Sequence, residues 1–148
     1  MRRRLLVVVA ALAAVAACWA AYNHMFVTTT SYATYSAPAF EEGATDEQRI
    51  FQLQSDLGDG AAEMAQLQDM AKKLQFARMK AMGRHLQQVA DELEPRLAQI
   101  EDRRAKELLA QGIEGLRTVG EGSAELDRDK SMQGVDQVLR SFDALNNR

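Results

Sequence analysis

A single stripe of apolar residues at helical spacing runs through the middle of this 148-residue chain and most limits how it can fold. Advanced at 100° per residue, the stripe stays on one helix face from residue 64 to residue 93 and keeps nearly the same phase to residue 119. Pro95 interrupts it by removing a backbone donor. The continuous phase favours one long helix kinked at Pro95 over two helices joined by a loop. The stripe comprises Met64, Leu67, Ala71, Leu74, Met82, Leu86, Val89, Leu93, Leu97, Ile100, Ala105, Leu108, Leu109, Gly112, Leu116 and Val119.

Local signals mark helix ends on either side of this stripe. Thr45-Asp46-Glu47-Gln48 fits a capping box, which predicts a short helix that ends at the turn Gly58-Asp59-Gly60. Gly120-Glu121-Gly122-Ser123 predicts a loop, and a final helix follows with Asp127 or Asp129 as its N-cap. The predicted class is therefore all-α, either an elongated antiparallel helical hairpin or a small three-helix bundle over residues 45–148.

The first eighteen residues have the order of an export signal. Arg2, Arg3 and Arg4 precede an uncharged apolar run, and this run ends in small residues around Cys18, the only cysteine of the chain. A chain with one cysteine forms no internal disulfide, so helix packing alone must hold the fold.

Val15-Ala16-Ala17-Cys18 resembles the lipobox of bacterial lipoproteins, although Val15 replaces the commoner leucine. The resemblance covers residues 1–18 and implies that Cys18 is lipidated and becomes the first residue of the mature chain. Two alternatives stay open. Leu5–Tyr22 is close to the ~20 residues that span a bilayer, which allows an uncleaved anchor in contact with membrane lipid. Simple cleavage after Ala16 would instead release the protein.

Residues 23–44 contain four Thr, two Ser, one Pro and one Gly and show no helical period. Phe26 to Tyr35 has enough β-branched and aromatic residues for a strand, but no partner strand is evident elsewhere. A flexible tether is favoured, with a reach on the order of 25 Å. The predicted organisation is a signal peptide or membrane anchor at 1–22, a flexible tether at 23–44 and a helical domain at 45–148.

Met79, Met82 and His85 suggest a copper site, because thioether and imidazole ligands suit Cu(I). On a helix, Met79 and His85 lie ~9 Å apart along the axis and ~120° around it, so they cannot share one ion. Met82 and His85 could, which makes them weak metal candidates. The favoured interpretation is methionine filling core gaps and histidine at the edge of the stripe. We therefore expect no metal and no cofactor.

Arg78 falls inside the apolar stripe. A buried guanidinium needs an anionic or carbonyl partner, and the final helix offers three aspartates. The favoured alternative is that the stem of Arg78 packs while its head reaches solvent. The candidate partners are Asp129, Asp136 and Asp143.

Four basic residues lie on the side of the predicted long helix away from the stripe. They could face anionic headgroups or envelope polymers, although an ordinary solvated face is favoured. Without the three N-terminal arginines, 15 basic residues of the 18 remain against 21 acidic ones, a net charge of −6. The export signal and the lack of aromatic residues among the basic ones argue against nucleic-acid binding. The four residues are Lys72, Lys73, Lys80 and Arg84.

Three glycines within the predicted helices each cost roughly 1 kcal/mol relative to alanine. Their best use is to let two helix backbones approach closely. These glycines are Gly112, Gly115 and Gly134.

Residues 45–148 contain one histidine, no cysteine and no phosphate-binding, zinc-protease or redox motif. We therefore predict a non-enzymatic, envelope-tethered helical interaction protein, acting as a scaffold, adaptor or assembly factor with a protein partner or a second copy. Its domain would lie outside the cytoplasm of a bacterium. The alternative is a periplasmic metal-binding or stress-responsive helical protein that uses Met82 and His85, and a small hydrolase is less favoured.

Overall fold

The computed structural model describes residues 2–26 and 31–148, with side chains from residue 12 onward. These residues contain five α-helices, one 3₁₀ helix and no strand, so the predicted all-α class is confirmed. The helices are α1 (Arg2–Phe26), α2 (Asp46–Lys72), α3 (Phe76–Leu93), the 3₁₀ helix (Glu94–Gln99), α4 (Arg103–Glu125) and α5 (Arg128–Asn146).

α2 begins at the predicted capping box. The Thr45 hydroxyl accepts a hydrogen bond from the Gln48 amide at 3.3 Å, and the Gln48 side chain accepts one from the Thr45 amide at 2.8 Å. The turn predicted at residues 58–60 is wrong, because α2 continues through both glycines. A Cβ on Gly60 would lie 2.9 Å from a Leu116 methyl carbon, so this glycine allows α2 to pack closely on α4.

The long helix predicted across the apolar stripe is interrupted twice. The first break is at Leu74, whose backbone is left-handed with a φ of 54°. The second is at Pro95, which lies in the first turn of the 3₁₀ helix after α3 has ended. Proline fits there because the amides of a first helical turn lack helical partners in any case. The kink favoured from the sequence is therefore wrong, and the chain reverses direction instead.

The loop predicted at residues 120–123 is also wrong, because α4 runs through it. A Cβ on Gly122 would lie 2.5 Å from a backbone nitrogen of α5, so this glycine too allows close packing. The turn falls at Leu126, which has a left-handed φ of 60°. Asp127, one of the two predicted N-caps, then accepts a hydrogen bond of 3.0 Å from a backbone amide of α5.

α4 lies at the centre of the helical domain, with α3 and α5 packed against it and α2 across α3 and α4. Helices that follow one another in the chain run antiparallel: Gly83 faces Gly120 between α3 and α4, and Gly115 faces Gly134 between α4 and α5. α2 and α4 run parallel, with Gly60 beside Leu116. Four helices form this domain, so the finer prediction of a hairpin or three-helix bundle is not confirmed. The largest fully buried apolar side chains are Leu53, Leu57, Met82, Leu86, Leu93, Leu109, Ile113, Leu116, Val89, Val119 and Val138.

Residues 31–44, here called the covering segment, lie along α2 and α3 without helix or strand. Residues 27–30, which the predicted tether and the considered strand both include, lie outside the described residues. Phe26 ends α1 rather than starting a strand. Four side chains of the covering segment pack against the core, namely Tyr32, Tyr35, Ala37 and Phe40.

The predicted signal or anchor falls within α1, but Met1 and the side chains of residues 2–11 lie outside the described part. Cys18 is exposed as a free thiol. Over the described portion of the chain, we find no helix long and apolar enough to cross a membrane.

Candidate functional site

A buried histidine and a glutamate meet between α2 and α3. Glu63 Oε2 lies 3.0 Å from His85 Nε2, and the His85 side chain is 10% exposed. The angle does not meet hydrogen-bond geometry, so this is a close contact rather than a directed bond. The Tyr32 ring stacks on the imidazole with ring centroids 5.1 Å apart. The covering segment therefore shields the imidazole from water, whereas the Glu63 side chain is 36% exposed.

The pKa of the Tyr32 hydroxyl is affected by burial and by two nearby charged side chains. Burial raises the pKa of the Tyr32 hydroxyl, the positive charge of Arg78 acts against this rise, and the Glu63 carboxylate adds to it. Tyr32, Glu63, Arg78 and His85 thus form one group, which we call the histidine cluster.

None of the three aspartates considered from the sequence is the partner of Arg78. Its Nη1 donates instead to Gln75 Oε1 at 3.1 Å. The reason is position, because α4 lies between α3 and the helix that carries the aspartates. Among them, Asp136 pairs with Arg140 at 2.6 Å.

A second buried charge, Arg96, was missed by the sequence analysis. Arg96 is 7% exposed, pairs with Asp56 and has its guanidinium carbon 4.2 Å from the centre of the Phe40 ring. Burial, followed by the charge of Asp56, raises the pKa of the neighbouring Tyr35. A signal existed: Arg96 lies three residues after Leu93 and four before Ile100, and hence within the apolar stripe.

The two metal candidates lie in different surroundings. Met82 is fully buried in the core, and His85 Nε2 contacts Glu63. Among the described residues, no group of three or more His, Cys, Asp or Glu side chains could hold a metal ion. Met82 could reach a metal only if the core opened.

The pocket beside the histidine cluster is shallow and open, so a molecule bound in it would remain in contact with water. Its lining combines the edge of the covering segment with one face of α3. The lining residues are Ser31, Tyr32, Ala81, Arg84, His85 and Gln88.

The C-terminal end of α1 contacts the turn between α2 and α3. His24 Nε2 lies 3.2 Å from the Lys73 carbonyl oxygen, and the ring centres of Phe26 and Phe76 are 5.8 Å apart. A ladder of aromatic rings continues along α1 through Tyr22 to Trp19, with centroid distances of 5.4 and 6.4 Å. Sequence reasoning did not predict this contact, because it placed a flexible tether there.

Two of the four residues of the predicted basic stripe, Lys72 and Lys73, lie at this turn. Because the helix breaks at residue 74, Lys72 and Lys73 end α2 while Lys80 and Arg84 belong to α3. Lys73 pairs with Asp69 at 2.7 Å, and this hydrogen bond holds the pKa of the Asp69 carboxyl below its usual value.

The outer face of α5 carries exposed apolar side chains. Met132 is 57% and Leu139 61% exposed, whereas Gly134, Val138 and Ser141 on the opposite face are buried. These two side chains form a small apolar patch on the outer face of α5.

No protein-family model, curated protein or solved structure matches this chain in the comparisons made.

Proposed function

We propose that this chain is a non-enzymatic helical interaction protein, tethered to a bacterial membrane with its helical domain outside the cytoplasm. The observation that carries the proposal is the outer face of α5, where Met132 and Leu139 are exposed. Apolar residues rimmed by charges are typical of a surface that contacts another protein.

A second copy of the chain fits this face. If two α5 helices cross antiparallel about a twofold axis between residues 135 and 136, Met132 of each copy meets Leu139 of the other. In the same register, Arg128 meets Asp143, a pair of opposite charge. The four positions lie within about 60° around the helix, so one face presents them all. Twofold symmetry makes each contact occur twice.

The placement of these charges supports the pairing. Arg128 is the first residue of α5 and Asp143 lies in its last turn. A helix dipole disfavours a cation at the N-terminus and an anion at the C-terminus, each by roughly 0.3–1 kcal/mol at an exposed site. In the antiparallel pair, each charge faces the opposite end of the neighbouring α5, where the dipole favours it.

The surface is small. Stable interfaces bury ~1,200–2,000 Å² in total, and two apolar side chains per copy supply only part of that area. We therefore expect weak association in solution and stronger association on a membrane, where tethering raises the effective concentration.

The tether rests on the resemblance of Val15-Ala16-Ala17-Cys18 to a lipobox, with an uncleaved anchor at Leu5–Tyr22 as the alternative.

An enzymatic role has less support. The two buried charged groups are covered by Tyr32, Tyr35 and Phe40, an arrangement that supports a structural role for them.

A charge swap tests the self-association. We expect Arg128→Asp or Asp143→Arg alone to abolish the cross-linked dimer in membranes, and both changes in one chain to restore it. Within one helix the two positions are 15 residues apart, or ~22 Å, so rescue can come only from contact between two copies.

The tether is tested on the same preparation by measuring the intact mass of the protein. We expect the mass of residues 18–148 plus acyl chains, and we expect the Cys18→Ser variant to lack this species.

A matched pair of variants provides the control. Met132→Glu with Leu139→Glu adds two charges to the outer face and should prevent cross-linking. Gln133→Glu with Gln137→Glu adds the same charge beside that face and should not. Circular dichroism checks that helicity is unchanged. A wild-type chain that is monomeric in membranes, or a swap that fails to rescue, would contradict the proposal.

A further inference from the structure

We propose that the turn between α2 and α3, together with the first turns of α3, contacts the anionic phospholipid headgroups of the membrane to which the chain is tethered. This inference rests on the proposed tether and adds a defined orientation to it. We call the surface the basic corner, and it consists of Lys72, Lys73, Leu74, Lys80 and Arg84.

α1 places the basic corner close to the lipid attachment point. Eight residues of helix separate Cys18 from Phe26, a rise of ~12 Å. Phe26 contacts Phe76 at the start of α3, and His24 contacts the Lys73 carbonyl oxygen. A lipid on Cys18 and an uncleaved anchor at Leu5–Tyr22 both bring this end of the helical domain to the bilayer surface.

The aromatic ladder on α1 fits the same depth. Trp19 is next to Cys18, Tyr22 lies four residues after Cys18, and both are exposed on one face of the helix. Tryptophan and tyrosine prefer the boundary between headgroups and acyl chains. The end of α1 that contacts the basic corner lies about one helical turn beyond Tyr22. The basic corner is therefore at the level of the phosphate groups.

Charge is distributed unevenly along the molecule. Residues 63–84 contain five basic and two acidic side chains, a net charge of +3, whereas the chain from residue 23 onward carries −6 in total. The remainder of that chain therefore carries −9. The end of α4 and the start of α5 lie beside the first turns of α3, and residues 121–130 carry a net charge of −2. This end of the molecule therefore has a net charge of +1, against −7 for the rest of the chain from residue 23. An anionic surface attracts this end weakly and repels the rest, so the field of the bilayer favours the orientation in which the basic corner faces it.

Leu74 gives the basic corner an apolar tip. It is 46% exposed, follows two lysines directly and has a left-handed backbone with φ of 54°. A leucine holds this conformation at an energetic cost, because its Cβ crowds the backbone, and it also leaves apolar surface in water. Insertion among headgroups removes that surface from water while the lysine ammonium groups stay with the phosphates.

Quenching of tryptophan by brominated phospholipids tests the contact. The full chain, purified from membranes with Trp19→Phe and Leu74→Trp, is reconstituted into phosphatidylcholine vesicles with or without phosphatidylglycerol. We expect the fluorescence of the tryptophan introduced at position 74 to be quenched when phosphatidylglycerol is present. Phe51→Trp in the same Trp19→Phe background is the control: its position is exposed and lies 23 residues, or ~35 Å, from position 74 along α2, so it should not be quenched.

Reversing the charge of two lysines in the basic corner provides a second test of the contact. Lys72→Glu with Lys80→Glu should abolish the quenching, because each basic side chain near an anionic surface changes the equilibrium by about fivefold. Arg103→Glu with Arg104→Glu makes the same change of charge at the start of α4 and should leave quenching unaltered.

Each outcome has a defined meaning. A chain that does not remain with vesicles of either composition contradicts the proposed tether. A chain that remains with them but shows no quenching at position 74, or equal quenching without phosphatidylglycerol, overturns the basic corner and leaves the tether standing. A response of the tryptophan at position 74 to soluble polyphosphate but not to vesicles would assign the corner to a polymer and overturn it as a lipid contact.

Discussion

Gly134 and Gly115 leave no space for a methyl group where α4 and α5 cross. A Cβ on Gly134 would lie 2.5 Å from the Val119 amide nitrogen and 2.6 Å from the Gly115 carbonyl oxygen. Both atoms belong to the backbone of α4, which cannot move without shifting the whole helix. Close approach therefore depends on these two residues.

We expect Gly134→Ala to lower the free energy of unfolding by about 1–3 kcal/mol through overpacking, despite the gain in helix propensity. Urea denaturation of the full chain in mild detergent, followed by circular dichroism, measures the change.

Gly58→Ala is the matched control for this variant. Its Cβ would lie 3.8 Å from a Phe142 ring carbon, an ordinary contact, so the propensity gain of roughly 1 kcal/mol should appear as stabilisation. If both variants changed stability in the same direction, close packing at Gly134 would not be the reason for its glycine.

Sequence reasoning at this scale succeeded for some glycines and failed for others. Isolated Gly112, Gly115 and Gly134 are costly inside a helix, and close approach of backbones was the only use that explained them. Gly60, Gly120 and Gly122 also allow close packing, but each has a second glycine two residues away, and such a pair is the usual signal of a turn. Only the neighbouring helices distinguish the two cases.

Among the elements, the covering segment has no regular hydrogen bonding of its own and is held by side chains. Tyr32 stacks on His85, and Phe40 lies over Arg96. The Gln88 side chain adds a long contact of 3.5 Å to the Tyr35 carbonyl oxygen. Removal of one aromatic ring should therefore loosen the segment locally without unfolding the helices.

We expect Tyr32→Ala to raise the rate at which diethyl pyrocarbonate modifies His85, because the ring that covers the imidazole is lost. The rate is measured by mass spectrometry of the histidine-containing peptides. His24 is the internal reference, since it lies on α1, outside the histidine cluster, and should react as before. An unchanged rate at His85 would show that Tyr32 does not shield it.

The start of a helix was predictable from the sequence where a side chain caps it. Thr45 and Asp127 were recognised because a hydroxyl or carboxylate at an N-cap accepts from the backbone. The break at Leu74 has no such mark, since Lys-Lys-Leu-Gln continues a helical pattern. Arg78 and Arg96 lay within the stripe in the sequence, yet their partners Gln75 and Asp56 could be known only from the packing.

On the scale of the whole molecule, the Asp46 carboxylate joins two helices at the end far from the basic corner. Asp46 accepts hydrogen bonds of 2.8 Å from the amides of Glu101 and Asp102, which joins the start of α2 to the start of α4. Arg148 pairs with Asp102 at 2.9 Å and adds the C-terminus. The two backbone hydrogen bonds hold the pKa of the Asp46 carboxyl below its ordinary value of 3.8.

This lowered pKa predicts how stability depends on pH. The folded-state pKa lies below the unfolded one, so the contribution of Asp46 is fully present above about pH 4 and is lost as the pH falls through the folded value. We expect Asp46→Asn to be less stable than the wild type at pH 7 and to lose less stability on acidification. Urea midpoints between neutral pH and about pH 3 provide the measurement. Glu47→Gln, one residue further on, should follow the wild-type curve; if Asp46→Asn also followed it, Asp46 would not be a source of acid sensitivity.

The central position of α4 has a consequence for the order in which the chain folds. Leu116 of α4 packs against Gly60, 56 residues earlier in the chain, and α3 packs on the same helix. Synthesis proceeds from the N-terminus, so α2 and α3 emerge before the helix that completes their core. Until α4 has emerged, Leu53, Leu57 and Leu86 have no complete core to enter, and the nascent chain must be protected from aggregation over that interval.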